Sequence, residues 1–191
     1  KEYQIINSIK IEGEKANKIK KGIKEQLTLK EKGSFLKNNL NKDINTIKRL
    51  YESIGFNFTE VDVKYEEFSE KRVNLIFYVK KGERTKISKI NFIGDKKFRD
   101  RRLRDIIVSE ENAFYKFITK NTYLNKDNIE LDKRLLVNYY KSMGYYDVQI
   151  ISSNAEITQD YQTTLTFNIN AGIRYRITKI TTDVSESIDK K

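Results

Sequence analysis

Three glycines recur at a nearly constant offset, and this recurrence constrains the fold more than any other feature of the 191-residue chain. Gly13 returns as Gly94, Gly55 as Gly144 and Gly82 as Gly172, at offsets of 81, 89 and 90 residues. The sequence around each is also repeated. INSIKIEGE (6–14) matches ISKINFIGD (87–95), LYESIGF (50–56) matches YYKSMGY (139–145), and VNLIFYVKKGERTKI (73–87) matches TLTFNINAGIRYRI (164–177). Internal repetition at a fixed period marks a tandem architecture. The extra residues in the second copy fall between the first and second glycines and predict a longer loop around 110–121. The expected domains are 1–81 and 82–172, with 173–191 as the start of a third copy or a truncated tail. Ile177 and Ile180 continue the pattern of Ile87 and Ile90, but Thr182 breaks it and no glycine follows Asp183.

Each copy reads as β-α-α-β-β. A short strand (4–12, 86–93) precedes a glycine. An amphipathic helix follows, with Ile19, Ile23 and Leu27 at i, i+4, i+8 in the first copy and Leu103, Ile106 and Ile107 in the second. Asp100 is the expected cap there. A second helix carries Ile44, Ile47, Tyr51 and Ile54, or Leu135, Leu136, Tyr139, Tyr140 and Met143. Asn41 or Asp43 caps it in the first copy and Asp127 in the second. Gly55 and Gly144 end it as C′ residues. Two strands close each copy, 59–64 with 73–79 and 146–153 with 163–169, joined by polar, turn-like stretches at 65–71 and 154–161. About seven residues, four of them charged, link Val79 to Ile87, so the copies sit end to end on a short tether.

No histidine or cysteine is present, which excludes disulfides, thiol chemistry, ordinary zinc sites and histidine acid–base catalysis. Neighbouring carboxylates (Glu66 with Glu67, Glu110 with Glu111, Asp43 with Glu52) fall on turns or helix faces, and we read them as solvated charge. Ser34, Ser53, Ser88 and Ser142 lack an activating histidine, and no Gly-rich phosphate loop appears. No catalytic residue, metal site or cofactor is expected. The net charge of +11 comes from 38 Lys+Arg against 27 Asp+Glu. These charges are spread along the chain, as in the product of an AT-rich genome, rather than gathered into a nucleic-acid stripe.

The combination of LYESIGF, NYYKSMGY, the I-x-F-I-G strand ending and the K-G-E-R closure resembles POTRA domains over nearly the whole chain. NKDNIELDKRLLVNYYKSMGYYDVQI, with the ITKI beyond it, is similar to the third POTRA domain of the outer-membrane β-barrel assembly factors, and the first copy to the second. The resemblance implies an α+β fold of tandem POTRA-like modules, each a three-stranded mixed sheet covered by two helices. It implies a periplasmic scaffold that binds unfolded outer-membrane proteins by β-augmentation. Periplasmic chaperones and assembly lipoproteins would be its partners, and a C-terminal outer-membrane β-barrel would complete the full-length protein, with no nucleic acid involved. Alternatives are the POTRA region of a related transporter (TamA or the two-partner secretion type), a spacer, or a basic nucleic-acid-binding module.

The family arrangement places the last strand in the middle of the sheet and leaves the one before it as a free edge. In the second copy the expected binding residues are Tyr146, Asp147, Val148, Gln149, Ile150 and Ile151. Val148 and Ile150 should face the helices while Asp147, Gln149 and Ile151 point outward. Gly13, Gly55, Gly82, Gly94, Gly144 and Gly172 are expected to be structural.

Overall fold

The computed structural model describes residues 4–113 and 120–181, and in them the chain builds one unit twice. The first comprises β1 (Ile5–Glu12), α1 (Asn17–Gln26), α2 (Asn39–Glu52), β2 (Glu60–Ser69) and β3 (Arg72–Lys80). The second comprises β4 (Lys86–Asp95), α3 (Asp100–Arg104), α4 (Lys126–Ser142), β5 (Gln149–Ile157) and β6 (Gln162–Asn170). Each unit forms a three-stranded sheet, ordered β1-β3-β2 and β4-β6-β5. The first strand lies parallel to the central one and the second antiparallel to it, so the sheets are mixed and the fold is α+β.

The central strands are built for burial on one face. Val73, Leu75, Phe77 and Val79 alternate into one core, and Thr163, Leu165, Phe167 and Ile169 into the other, at the two-residue period of a strand. Ile23, Ile47 and Tyr51 from the helices complete the first core, and Leu103, Leu136 and Tyr140 the second. The first strand of each sheet carries one unpaired residue at the same place in the repeat, Asn7 in β1 and Ser88 in β4.

Both long helices stop by the same device. Gly55 N–H donates to Glu52 O and Phe56 N–H to Tyr51 O, and Gly144 and Tyr145 repeat this with Lys141 and Tyr140. This is the Schellman pattern, and it requires positive φ at the glycine, here +92° and +91°. The residue after each glycine packs back on the helix, Phe56 on Tyr51 and Tyr145 on Tyr140, with ring centroids 6.1 and 5.9 Å apart.

Several local expectations are corrected. Asp100 lies in the first turn of α3, whose cap position is Arg99. Asn125, not Asp127, caps α4, its side chain accepting from the Asp127 and Asn128 N–H groups. α2 begins at Asn39 after Asn38, so neither Asn41 nor Asp43 caps it. α3 spans only five residues, leaving Ile106 and Ile107 beyond its end. The stretches expected to be turns are largely strand. β2 runs to Ser69 and β5 to Ile157, while Tyr146 and Asp147 form a turn and Val148 lies between that turn and β5. The polar outer arms misled because they are solvated on both faces, so no buried residue marks the strand period. Of the expected longer loop at 110–121, residues 114–119 lie outside the described residues, as do Thr182 and Asp183 of the tail.

The tether between units is a built junction. Thr85 N–H donates to Gly55 O at 3.0 Å, Asn125 Nδ2 to Ser53 O at 2.8 Å, and Asn57 Nδ2 to Leu124 O at 3.0 Å. The Arg84 guanidinium lies 4.9 Å from the Phe56 ring centroid and 4.8 Å from that of Tyr123, sandwiched between one unit and the other. Phe58 meets Tyr161 edge-on at 5.7 Å. The C-terminal turn of α2 thus faces the chain that enters α4. After the second unit, Tyr175 N–H donates to Gly144 O at 2.8 Å, the bond that Thr85 makes to Gly55 O one repeat earlier. Residues 171–181 carry no regular structure, and Ile177 and Ile180 are exposed.

Candidate polypeptide-binding edge

A three-stranded sheet has two edges, each with a row of backbone groups that another strand can pair with. Here the two edges are treated differently. The β1 edge is closed by the chain around 31–35. Ile6 N–H donates to Gly33 O, Lys32 N–H to Ile6 O and Phe35 N–H to Gln4 O, and Ile5 bridges Ser34. Farther along, Ile9 N–H donates to the Glu31 carboxylate at 3.0 Å, and Lys24 pairs with the same oxygen at 3.0 Å. The Ile9 N–H, and then Lys24, hold the Glu31 carboxyl below its ordinary pKa. The second unit repeats the arrangement. Ile90 N–H donates to Glu111 at 2.8 Å, Arg104 pairs with Glu111 at 3.3 Å, Asn112 N–H donates to Ile87 O, and Lys86 bridges Tyr123. A carboxylate that accepts an edge N–H occupies the place an incoming carbonyl would need.

The opposite edges are open. Among the described residues nothing pairs with the outer side of β2 or of β5. Each of these strands carries one bulged residue, Phe68 in β2 and Ile151 in β5. A bulge re-aims its side chain. Both residues stand out into solvent, at 60% and 61% exposure, in company with Tyr65 on β2 and Ile157 on β5. The two bulges lie at opposite ends of their strands, so this feature is not part of the repeat. Behind β5 a groove of about 360 Å³ separates the strand from α4, lined by Ile150, Val137, Glu130, Lys133 and Arg134.

The residues expected at this site divide between two elements. Gln149, Ile150 and Ile151 open β5, with Ile150 half-buried toward α4 and Gln149 and Ile151 outward. Tyr146, Asp147 and Val148 precede the strand. Val148 is buried in the core, Asp147 accepts from the Tyr175 hydroxyl at 2.6 Å, and the Tyr146 ring lies 6.0 Å from that of Tyr175. The edge itself extends on to Ile157, beyond the expected range. All six structural glycines have positive φ. At Gly13 an added Cβ would lie 1.9 Å from the Val79 carbonyl oxygen of the neighbouring chain, so backbone approach also requires glycine there.

Of the carboxylates read as solvated charge, Glu111, which closes the β4 edge, and Asp43 both have structural roles. Asp43 is fully buried and accepts Thr28 N–H on Oδ1 (2.6 Å) and Leu29 N–H on Oδ2 (3.0 Å). Its counterpart, Asp132, 89 residues on, is fully buried and accepts the Val108 and Ser109 N–H groups, at 2.6 and 3.2 Å, both on Oδ1. In each unit one aspartate of the second helix thus clamps the chain leaving the first, which then runs on to the carboxylate closing the β1 or β4 edge. Glu14 is buried too, accepting from Tyr51 Oη at 2.7 Å and Ala16 N–H at 2.8 Å, with Lys81 at 3.4 Å. Burial acts to raise its pKa, but these three donors outweigh it and hold it low. The pairwise recurrences Asp43/Asp132 and Glu31/Glu111 were the available sequence signal.

A family model for POTRA, described as surface antigen variable number repeat, matches residues 4–82 and 85–172. The chain belongs to the POTRA family. Among curated relatives, 24% identity over 94% of this chain relates it to the outer membrane protein assembly factor BamA of Neisseria meningitidis, and 25% over 94% to that of Neorickettsia risticii. The chain spans about a quarter of the length of these relatives, 23% and 24% respectively. Of solved structures, BamA from Haemophilus ducreyi lacking POTRA domains 1–3 superposes with a TM-score of 0.59 at 20% identity, covering 87% of this chain and 29% of that one. Haemophilus influenzae BamA POTRA3-5 gives 0.56 at 16%, covering 90% and 67%. Since these structures carry later POTRA domains of the array, the likeness establishes the shared fold without assigning this pair a place in the array.

Proposed function

We propose that this POTRA pair is the periplasmic polypeptide-binding part of an outer-membrane protein assembly factor. It takes up extended segments of unfolded β-barrel precursors by strand addition. The observation that carries this reading is the asymmetry of the edges: β1 and β4 are closed by a repeated loop and carboxylate, while the outer sides of β2 and β5 are unpaired among the described residues and display large apolar side chains. A strand added to β5 gains main-chain hydrogen bonds from the edge, and alternate side chains enter the groove against α4. The BamA relatives support the assembly role. On this reading a C-terminal outer-membrane barrel completes the protein, and periplasmic chaperones and assembly lipoproteins are its partners. The bond from Tyr175 to Gly144 supports reading residues from 173 onward as the entry to another module.

Amide NMR with an extended peptide of alternating apolar and polar residues tests the edge. Shifts are expected along 149–157 and in β2, and Ile151→Lys should weaken the β5 effect, since an edge lysine opposes pairing. Shifts confined to the exposed helix faces, unaffected by Ile151→Lys, would refute strand addition.

A further inference from the structure

The junction between the two units forms a solvent-open cavity of about 600 Å³, a size that suits a ligand and a place where ligand sites are common. Its apolar side comes from Ile19 on α1 and from Leu50 and Ile54 at the end of α2, with Ile54 exposed. The second unit contributes the segment leading into α4. We propose that this cavity is a second polypeptide site, separate from the β5 edge, which takes an aliphatic side chain flanked by carboxylates.

Three observations carry the proposal. The first is Gly22, which lines the cavity from the interior of α1. A glycine there destabilises a helix by roughly 0.5–1 kcal/mol relative to alanine. Packing among the described residues does not require it, since an added Cβ would have no heavy atom within 4 Å. What it does provide is open space over the helix backbone. The second is charge. Among the described residues, the charged members of the lining are Lys18 and Arg84, both cationic. Arg84 is held between two rings and makes no ion pair among the described residues, and Lys18 makes none either. Among the described residues, an anionic group entering the cavity therefore meets two unneutralised cations and no carboxylate. The third is hydrogen-bonding capacity. The carboxamides of Gln26, Asn121 and Asn128 line the cavity, and their side chains bond to nothing among the described residues. A carboxamide offers both donors and an acceptor, as a peptide group does. A polypeptide can satisfy these groups, whereas a fatty acyl chain would leave them unpaired. The hydrogen bonds across the junction keep the walls in place, so the site is formed before the ligand arrives.

The whole chain, labelled with nitrogen-15, can be titrated with the pentapeptide acetyl-Ser-Asp-Leu-Asp-Ser-amide at low and high salt. Saturable shifts are expected at Ile19, Gly22, Gln26, Ile54, Arg84 and Asn128, weakening as salt screens the two cations. Gly22→Leu should bind roughly tenfold more weakly because its side chain occupies the cavity. The same variant should melt no lower than the parent, since leucine is the better helix former and the space is open. Ile151→Lys should leave this binding unchanged, which separates the site from the β5 edge. Equal binding by Gly22→Leu overturns the proposal, as do shifts confined to β2 and β5. Entry of octanoate where the pentapeptide does not enter would make the cavity a lipid site and overturn it as well.

Discussion

The two buried aspartates clamp the same place in each unit with different geometry, and that difference predicts unequal responses to one substitution. Asp43 uses both oxygens, one for Thr28 N–H and one for Leu29 N–H. Asn at this position keeps one carbonyl oxygen and turns an NH₂ toward the other backbone N–H, donor against donor. One charge-assisted bond is lost and a buried N–H is left unsatisfied, a cost of about 1–3 kcal/mol. For a unit of this size each kcal/mol moves the midpoint by roughly 4–8 °C, so Asp43→Asn should lower Tm of the first unit by about 5–20 °C. Asp132 places both backbone bonds on Oδ1, and Oδ2 has no hydrogen-bond partner among the described residues. Asn there retains both bonds and removes a buried charge. Burial raises the Asp132 pKa against the Ser109 hydroxyl and the Val108 and Ser109 N–H groups. The expected cost of Asp132→Asn is under about 1 kcal/mol. Thermal melts combined with hydrogen exchange at Leu29 and Ser109 assign each loss to its unit. Equal costs, or a larger cost for Asp132→Asn, would refute the argument from oxygen count.

The raised pKa of Asp132 also fixes a pH dependence. Its ionisation opposes folding, so this contribution is greatest at acid pH, below the unfolded value, and is lost as pH rises through the folded value; Asp132→Asn should abolish this change in melts of the second unit. Glu31, whose pKa is lowered, has the opposite sign. Its contribution is present above the unfolded value and lost as pH falls through the folded one, so the Ile9 amide should exchange faster in acid, after correction for intrinsic rates, and in Glu31→Ala at neutral pH. Unchanged protection at Ile9 would show that the carboxylate does not close the edge. Gly55→Ala forces an L residue to φ +92° with its Cβ 2.7 Å from that of Tyr123, so it should cost about 1–2 kcal/mol and loosen the junction. Residual dipolar couplings that still fit one rigid body, with Tm unchanged, would contradict this. Arg84→Lys should also loosen the junction, because an ammonium cannot stack flat between the Phe56 and Tyr123 rings; dipolar couplings identical to those of the parent would show the sandwich to be incidental.

The repeat, the order of elements and the glycine-terminated ends of α2 and α4 were legible in the sequence because each depends on neighbours in the chain. Apolar spacing gives a helix or strand its buried face, and a glycine that must adopt positive φ leaves its mark in one residue, as Gly55 and Gly144 show. The ends of β2 and β5 were not legible, because strand arms solvated on both faces carry no apolar alternation; only pairing with β3 and β6 makes them strands. The same limit hid Asp43, Glu31, Glu111 and Arg84. As residue types they look like ordinary surface charge. Asp43 meets its backbone donors 14 and 15 residues away, and Glu31 and Glu111 reach an edge strand more than 20 residues back. Arg84 is held between rings of two different units. The sequence by itself determined that two copies of one POTRA unit form. Which sheet edge is closed, which stays open, and how the units are joined were decided only by tertiary structure, because each rests on a carboxylate, a carbonyl or a ring brought close by folding and not by order along the chain.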